Sequence, residues 1–437
     1  MFAYYLQLGL RSLRRNPMLT ALMVMAVGFG VAASMITWSV FRAVSGDPIP
    51  AKSSQLYTVL IDNRGPQYND NGEPPEALTY TDATALVAAR KATHQTLFYN
   101  VAPSVLPEGN QSLPFIADGY ATNADFFNMF DVPFEYGGAW HAGDDDGRAA
   151  VAVISHELNQ QLFNGANSVG REITMDRHSY RIVGVTAHWD PKPRFYDLFS
   201  SNAFGDPVQL YLPFTRAIDV AMDTAGRNNC GSNTDFGVGR EAWLHGECVW
   251  IPVWVELADP AAANSYREFL THYAADQQRA GRFHWAPNVR LRDVNDWLDY
   301  KQVVPPESRI SLMVALGFFA ICLVNTIGLL LAKFMRRAAE IGVRRALGAP
   351  RREIYHQFLI EAGAVGLAGG VLGLLLTALG MFGVGLLFEP EIARLAHLDF
   401  SLVAMTLLVA IAATVLAAFY PTWRAAQVQP AWQLKSN

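Results

Sequence analysis

The chain has 437 residues, enough for more than one domain, and 51% of them are hydrophobic. Its formal net charge is −5 at pH 7, a figure that averages two unlike halves of the chain, and we expect no nucleic-acid partner. Four stretches contain no Asp, Glu, Lys or Arg, namely 18–41, 310–332, 362–388 and 400–423. This uneven distribution excludes an ordinary soluble protein and indicates a membrane protein.

Each uncharged stretch has at least 23 residues, and about 20 apolar residues are enough to cross the hydrocarbon core. We therefore predict four transmembrane helices, within 18–45, 310–332, 362–388 and 400–423. An even number of spans places both termini on the same side of the membrane. Because no span has a charge near its middle, the pattern argues against a conventional channel or an ion-coupled transporter.

The charges between the spans predict the orientation. Residues 333–352 contain seven Lys or Arg against one acid, whereas residues 46–309 contain 20 Lys or Arg against 33 Asp or Glu, a net charge of −13. Basic loops stay in the cytoplasm. We therefore place the loop 333–361 and the tail 424–437 inside a bacterial inner membrane, and 46–309 and the short loop 389–399 in the periplasm.

The segment 1–17 has apolar residues at helical spacing beside three arginines. This pattern predicts an amphipathic helix that lies on the inner leaflet and ends at Asn16-Pro17. A cleaved secretory signal is the alternative, since Val31-Ala32-Ala33-Ser34 resembles a cleavage site. The apolar run continues to Phe41, however, and is too long for the core of a signal peptide.

The large segment 46–309 mixes strand and helix patterns, so we predict an α+β domain. We expect a core subdomain, 46–136 with 251–309, and an inserted subdomain, 137–250, that begins with a polar loop at 137–150. The predicted elements include a strand at 56–61, a helix capped by Thr79 or Thr81, a helix capped by Ser155, a hairpin that turns at 176–179, a strand at 251–257 and a helix at 261–280.

Cys230 and Cys248 lie 18 positions apart in this segment. An oxidising compartment favours a disulfide between them, with two buried thiols as the alternative. Cys322 lies inside the second span, where we expect it to contribute to packing.

The motifs for enzymatic chemistry are missing. The sequence contains no P-loop and no G-x-S-x-G motif. His156-Glu157 begins like a zinc-protease helix, but Gln160 replaces the second histidine, and a solvated turn explains Asp144–Gly147 better than a calcium loop does. We therefore expect no catalytic residue, cofactor or metal site.

The third span is rich in glycine. Gly366 with Gly370, and Gly369 with Gly373, form small-xxx-small pairs that predict close helix packing. Before this span, the basic loop is predicted as a helix 333–347 that ends at Gly348, followed by a second helix from Pro350 onwards. Lipid head groups explain its arginines, but the apolar residues Ile341, Ala346 and Leu347 favour a protein partner with an acidic groove.

The sequence from Glu340 to Ile354, EIGVRRALGAPRREI, resembles the permease subunits of MacB/FtsX-type ABC systems, as does Tyr420–Ala426, YPTWRAA. Leu10–Pro17 is similar to the family's entry helix, and segments of 151–185 are similar to its periplasmic core. The resemblance implies four spans with a large periplasmic domain between the first two. It also implies a dimer with an identical or paralogous permease.

The same resemblance implies a separate cytoplasmic ATPase whose groove receives the helix 340–352. We expect the coupling residues to be Glu340, Ile341, Arg344, Arg345, Leu347, Gly348, Arg351 and Arg352. The permease itself is then noncatalytic, and ATP-driven closure of the dimer is transmitted to the periplasmic domains.

The use that this resemblance favours is export of a drug, a peptide or a siderophore-like compound, together with a periplasmic adaptor and an outer-membrane channel. Lipoprotein extraction of the LolC-like kind and FtsX-like control of cell-wall hydrolases are the alternatives. A membrane-anchored sensor without an ATPase leaves the apolar residues of the basic loop unexplained.

Overall fold

The computed structural model describes residues 16–68, 70–107, 113–230, 238–387 and 400–427. Contacts divide the chain into two compact units, one formed by Gly46–Val303 and the other by the helices that precede and follow it. The predicted loop 389–399, nearly all of the predicted N-terminal helix and most of the tail 424–437 lie outside the described residues.

The described helices, in chain order, are α1 (Pro17–Ser45), α2 (Tyr80–Ala88), α3 (Asp125–Met129), α4 (Ala142–Asp146), α5 (His156–Phe163), α6 (Phe214–Asp219), α7 (Arg240–Leu244), α8 (Pro260–Arg279), α9 (Val294–Tyr300), α10 (Pro306–Met335), α11 (Ala338–Ala346), α12 (Arg351–Leu387) and α13 (Phe400–Ala426). The strands are β1 (Leu56–Ile61), β2 (His94–Val101), β3 (Ser104–Leu106), β4 (Phe115–Ile116), β5 (Gly119–Thr122), β6 (Phe134–Gly137), β7 (Val151–Ile154), β8 (Glu172–Met175), β9 (His178–Thr186), β10 (Leu210–Pro213), β11 (Val253–Glu256) and β12 (Val289–Asp293).

The strands of the unit 46–303 join in one hydrogen-bonded path. Their order is β12-β1-β11-β2-β5-β10-β7-β9-β8-β3-β4, and β6 pairs with β9. Neighbouring strands run antiparallel except for β5 with β10 and β7 with β9. Helices and strands mix in this unit, which confirms the predicted α+β domain between the first and second spans.

The central strands are buried on both faces, because successive side chains of a strand point in opposite directions. On β2, Leu97 and Tyr99 belong to one apolar cluster and Phe98 belongs to the other. Helix α8 contributes Tyr266 to the first cluster, and α3 contributes Phe126 to the second. The unit therefore has an apolar core on each side of its sheet.

Local signals predicted several of these elements well. The strand 56–61 is confirmed, and the two predicted caps form: Thr79 Oγ1 accepts a hydrogen bond from Asp82 N at 3.1 Å, and Ser155 Oγ accepts one from Leu158 N at 3.1 Å. The prediction of a polar loop throughout 137–150 is wrong, since this segment contains the short helix α4.

The hairpin between β8 and β9 turns without glycine. Asp176 and Arg177 have φ angles of 46° and 72°, which is the left-handed region that two-residue hairpin turns require. Asp176 Oδ1 accepts a hydrogen bond from Ser104 N at 2.9 Å, and this contact holds the turn against β3.

The division of 46–309 into two subdomains stays a prediction. Val105 of β3, from the segment assigned to the core subdomain, pairs with Met175 of β8, from the segment assigned to the insertion. Strands from both proposed subdomains thus share the same hydrogen-bonded path.

Cys230 and Cys248 are disulfide-bonded, and their neighbours Asn229 and Val249 exchange two backbone hydrogen bonds at 3.0 Å.

The second unit contains four helices that are long and apolar enough to cross a membrane, namely α1, α10, α12 and α13. This confirms the four predicted spans. Cys322 of the second span is buried, as expected.

The glycines of α12 lie at two different contacts. A Cβ atom added to Gly370 would approach Ala410 Cβ of α13 to 3.1 Å, whereas one added to Gly369 would approach Val27 Cγ1 of α1 to 2.7 Å. Gly366 likewise faces α13, and Gly373 faces α1. Each small-xxx-small pair therefore lets a different helix approach the third span closely.

Candidate functional site

The basic segment between α10 and α12 folds as a short helix with a break on either side. The predicted continuous helix 333–347 is wrong, because α10 ends at Met335 and α11 begins at Ala338. Arg337 precedes α11 with φ −97° and ψ 10°, outside the helical region. The break allows α11 to take a direction of its own instead of extending the second span.

The end of α11 agrees with the sequence prediction. Gly348 follows the helix with φ 95°, a left-handed conformation that a residue with a Cβ adopts at a cost. Ala349 N donates to Arg344 O at 3.1 Å and closes the last turn. Pro350 then precedes α12, so the chain enters the third span directly.

One face of α11 packs inward. Ile341 is 5% exposed and belongs to an apolar cluster with Leu330, Phe334, Ile354 and Phe358. Ile341 therefore does not lie on a free surface, although it was predicted to contact a partner. This face of α11 therefore packs against the ends of α10 and α12.

The other face carries exposed apolar and basic groups. Val343 and Leu347 are 56% and 83% exposed and lie four positions apart, on the same side of the helix. Arg344 beside them pairs with Glu340 at 2.8 Å and donates to Gln357 Oε1 at 3.1 Å.

The remaining predicted coupling residues surround this face. Arg351 and Arg352 are exposed at the start of α12, and Gly348 is exposed in the connecting turn. Arg345 is half-buried. The outward side of α11 and the first turn of α12 thus form one basic surface with Leu347 in it, which we call the coupling face.

The sequence reasoning missed a buried ionic cluster next to this face. Lys333, Arg337 and Glu361 meet where α10, α11 and α12 come together. Glu361 follows Ile354 and Phe358 at helical spacing, on the buried stripe of α12. The available signal was a carboxylate within the apolar stripe of α12, together with the only lysine of the basic loop that precedes this helix.

The unit 46–303 contains a cavity of about 1120 Å³ lined by α2, α4, α6 and α7. Its wall combines apolar side chains such as Phe214 with acids such as Asp145 and with Arg148.

Among the residues that the structure describes, no group of three or more His, Cys, Asp or Glu is placed to hold a metal ion. His156 instead pairs with Glu135 at 2.7 Å.

Two family models match the chain. Residues 20–272 match the MacB-like periplasmic core domain, and residues 312–430 match the FtsX-like permease C-terminal domain. The first match covers more than half of the chain, and the second includes the coupling face.

The macrolide export ATP-binding/permease protein MacB of Salmonella paratyphi A is 26% identical over 387 residues, which cover 86% of this chain and 52% of MacB. The pyoverdine export ATP-binding/permease protein PvdT of Pseudomonas aeruginosa is 24% identical over 428 residues, which cover 97% of this chain and 57% of PvdT. The chain spans about half the length of the curated relatives it matches. The crystallised periplasmic region of MacB from Actinobacillus actinomycetemcomitans matches with 13% identity and a TM-score of 0.38, over 60% of this chain and 98% of that one.

Proposed function

The chain belongs to the MacB/FtsX-type family of ABC transporter permeases, and we propose that it couples ATP hydrolysis by a separate cytoplasmic ATPase to movement of its periplasmic unit. As a multi-pass inner-membrane protein with a periplasmic domain, it has parts on both sides of the membrane. In this proposal the permease is noncatalytic and works as a dimer, with an identical or a paralogous partner.

The observation that carries the proposal is the coupling face. Leu347 is 83% exposed on a helix that ends at the left-handed Gly348, packs against the ends of two spans and is flanked by arginines. An exposed leucine among fixed positive charges suits a partner groove that is apolar at its base and acidic at its rim. Lipid head groups account for the charge but do not require an outward leucine.

The printed names of the relatives guide the proposed cargo. MacB is named as a macrolide exporter and PvdT as a pyoverdine exporter. We infer that this chain takes part in export of a drug, a peptide or a siderophore-like compound, together with a periplasmic adaptor and an outer-membrane channel. Uncharged spans support this mechanism, since cargo moved by the periplasmic unit needs no polar path through them.

Charge reversal on the coupling face tests the proposal. For Arg344→Glu combined with Leu347→Asp, we expect loss of the co-purifying ATPase and loss of permease-stimulated ATP hydrolysis. Breaking a buried charged contact costs about 2–5 kcal/mol, whereas an arginine that faces lipid contributes about 1 kcal/mol.

The matched control is Arg267→Glu, a charge reversal on the exposed face of α8 in the periplasmic unit. It should retain ATPase binding and stimulation. Wild-type binding and stimulation in the double variant of the coupling face would show that this face anchors the protein to lipid and has no role in coupling.

A further inference from the structure

A buried carboxylate joins the two spans that flank α11. Glu361 Oε1 lies 2.6 Å from Lys333 Nζ, and Glu361 Oε2 accepts a hydrogen bond from Arg337 Nη1 at 2.9 Å. The side chains of Lys333, Glu361 and Arg337 are 0%, 2% and 12% exposed. Because charges removed from water require partners, this cluster holds its members in one arrangement.

The position of the cluster matters more than its charge. Lys333 lies in the last turn of α10, and Arg337 immediately precedes α11, so Glu361 contacts the chain both before the helix break and within it. Arg337 donates with hydrogen-bond geometry, while Lys333 makes an ion pair without it. A charge-assisted hydrogen bond fixes direction as well as distance.

The apolar contacts next to this cluster do not fix the direction of α11 as the hydrogen bond from Arg337 to Glu361 does. The rings of Phe334 and Phe358 lie 4.1 Å apart between α10 and α12, and Ile341 packs beside them. Such contacts are non-directional, so they favour burial without preventing α11 from tilting. The backbone leaves helical geometry on either side of α11, at Arg337 and at Gly348, so these are the two points where α11 can turn relative to α10 and α12.

We propose that Glu361 is a positioning residue that fastens the base of α11 to α12, so that a force on Leu347 moves the cytoplasmic ends of the second and third spans together. The proposal rests on the proposed function, because the force comes from the ATPase. Without Glu361, a polar contact that remains between α11 and α12 is the exposed hydrogen bond from Arg344 to Gln357. The same force then bends the chain at Arg337 and Gly348, and the spans do not follow.

The first test needs no ATPase. Spin labels at Leu347→Cys and His356→Cys report the position of α11 relative to α12 in the purified full chain. We expect one narrow distance distribution in the otherwise wild-type protein and a broad one with Glu361→Gln, with Glu361→Asp in between. Glu307→Gln, at the opposite end of α10, is the matched control and should leave the distribution narrow.

Arg337→Gln is a second variant that tests the same proposal if Glu361→Gln does not fold. It removes the hydrogen bond at the break and leaves Lys333 paired with Glu361, so no buried acid is stranded. It should broaden the distribution as Glu361→Gln does. An unchanged distribution in both variants overturns the proposal.

The second test separates binding from coupling, using the ATPase that co-purifies with the wild-type chain. We expect Glu361→Gln to retain ATPase binding while stimulation of hydrolysis falls by about 5- to 150-fold, the usual range of an allosteric coupling. Binding and stimulation that fall in parallel with thermal stability would indicate a purely structural role and overturn the proposal. A wild-type chain that neither binds nor stimulates an ATPase refutes the proposed function itself, and the coupling role of Glu361 with it.

Discussion

Arg282 connects three parts of the periplasmic unit through its guanidinium group. It lies 2.5 and 2.8 Å from the two carboxylate oxygens of Asp82, which is buried in the first turn of α2, and 2.6 Å from Glu247 Oε1 beside the disulfide. This forked geometry suits arginine and not lysine. Removing Arg282 leaves Asp82 as an uncompensated charge in the interior.

We therefore predict that Arg282→Met lowers the free energy of unfolding of the unit 46–303 by about 3–5 kcal/mol. Arg279→Met is the matched control, because Arg279 makes an exposed pair with Asp276 three residues earlier, a kind of pair worth about 0–1 kcal/mol. Urea denaturation of the unit measures both. Equal losses in the two variants would contradict a structural role of the Arg282 contacts.

Asp145 makes the stability of the unit 46–303 depend on pH. Burial raises the pKa of Asp145 from 3.8 to about 6, although Ala124 N and Trp140 Nε1 both donate hydrogen bonds to it. Between pH 4 and 6 the folded state therefore holds a proton that the unfolded state has released. The contribution of Asp145 to stability falls as pH rises through this window.

We predict that Asp145→Asn gains stability relative to the wild type as pH rises from 4 to 6, by at most about 3 kcal/mol, and that the difference is constant above pH 7. The amide has one hydrogen-bond acceptor fewer than the carboxylate. This loss changes the stability of the variant by the same amount at every pH, so it does not alter how the difference from the wild type varies with pH. Denaturation at a series of pH values measures the slope, with the exposed neighbour Asp146→Asn as control. A difference that does not vary between pH 4 and 6 would count against a raised pKa.

At the scale of elements, the sequence predicted what local chemistry determines. Thr79 and Ser155 cap helices where their side chains satisfy the first backbone donors, and Gly348 ends α11 in the conformation that glycine tolerates best. The burial of Ile341 was missed, although helix geometry places Ile341 and Leu347 about 120° apart around the axis. They cannot share one groove, and Val343 is the true neighbour of Leu347.

The helix break and the Glu361 cluster were not predictable in the same way. Both depend on how α10, α11 and α12 meet in space, because the cluster joins Lys333 to a carboxylate 28 positions later. Uncharged stretches define where spans lie, but they do not show which boundary charges turn inward.

The glycine contacts of α12 predict a difference between two positions on one helix. A Cβ at Gly366 would collide with Thr414 and approach Ala410 O to 2.9 Å, whereas a Cβ at Gly363 would meet Val415 at an ordinary 3.8 Å. Gly366→Ala should therefore lower the thermal stability of the purified protein. Gly363→Ala should leave it unchanged or raise it slightly, since alanine in a helix is favoured over glycine by roughly 0.5–1 kcal/mol.

A thermal melt in detergent compares the two glycine variants directly. The same substitution is made three residues apart, so helix propensity cancels and the packing term remains. Equal melting temperatures for both variants would show that α12 and α13 do not need this close approach.

At the scale of the whole molecule, pairing across long sequence separations limited the prediction. The α+β class and the four spans follow from periodicity and apolar length. The strand order does not, since β1 pairs with β11 about 200 positions later and with β12 between 228 and 236 positions later. The parallel pair β5 and β10 likewise joins segments that had been assigned to different subdomains.

The charge asymmetry between the segments that connect the spans predicts the orientation of the whole chain. Ile116 is 69% exposed in the periplasmic unit, and Leu347 is 83% exposed on α11, so both accept a thiol label once replaced by cysteine. The native cysteines are either disulfide-bonded or buried, which keeps the background labelling low.

In intact cells with a permeable outer membrane, a membrane-impermeant maleimide should label Ile116→Cys and not Leu347→Cys, and both should react after lysis. Labelling of Leu347→Cys in intact cells would place the coupling face outside the cytoplasm, beyond the reach of any ATPase. The positive-inside assignment and the coupling mechanism would then fail together.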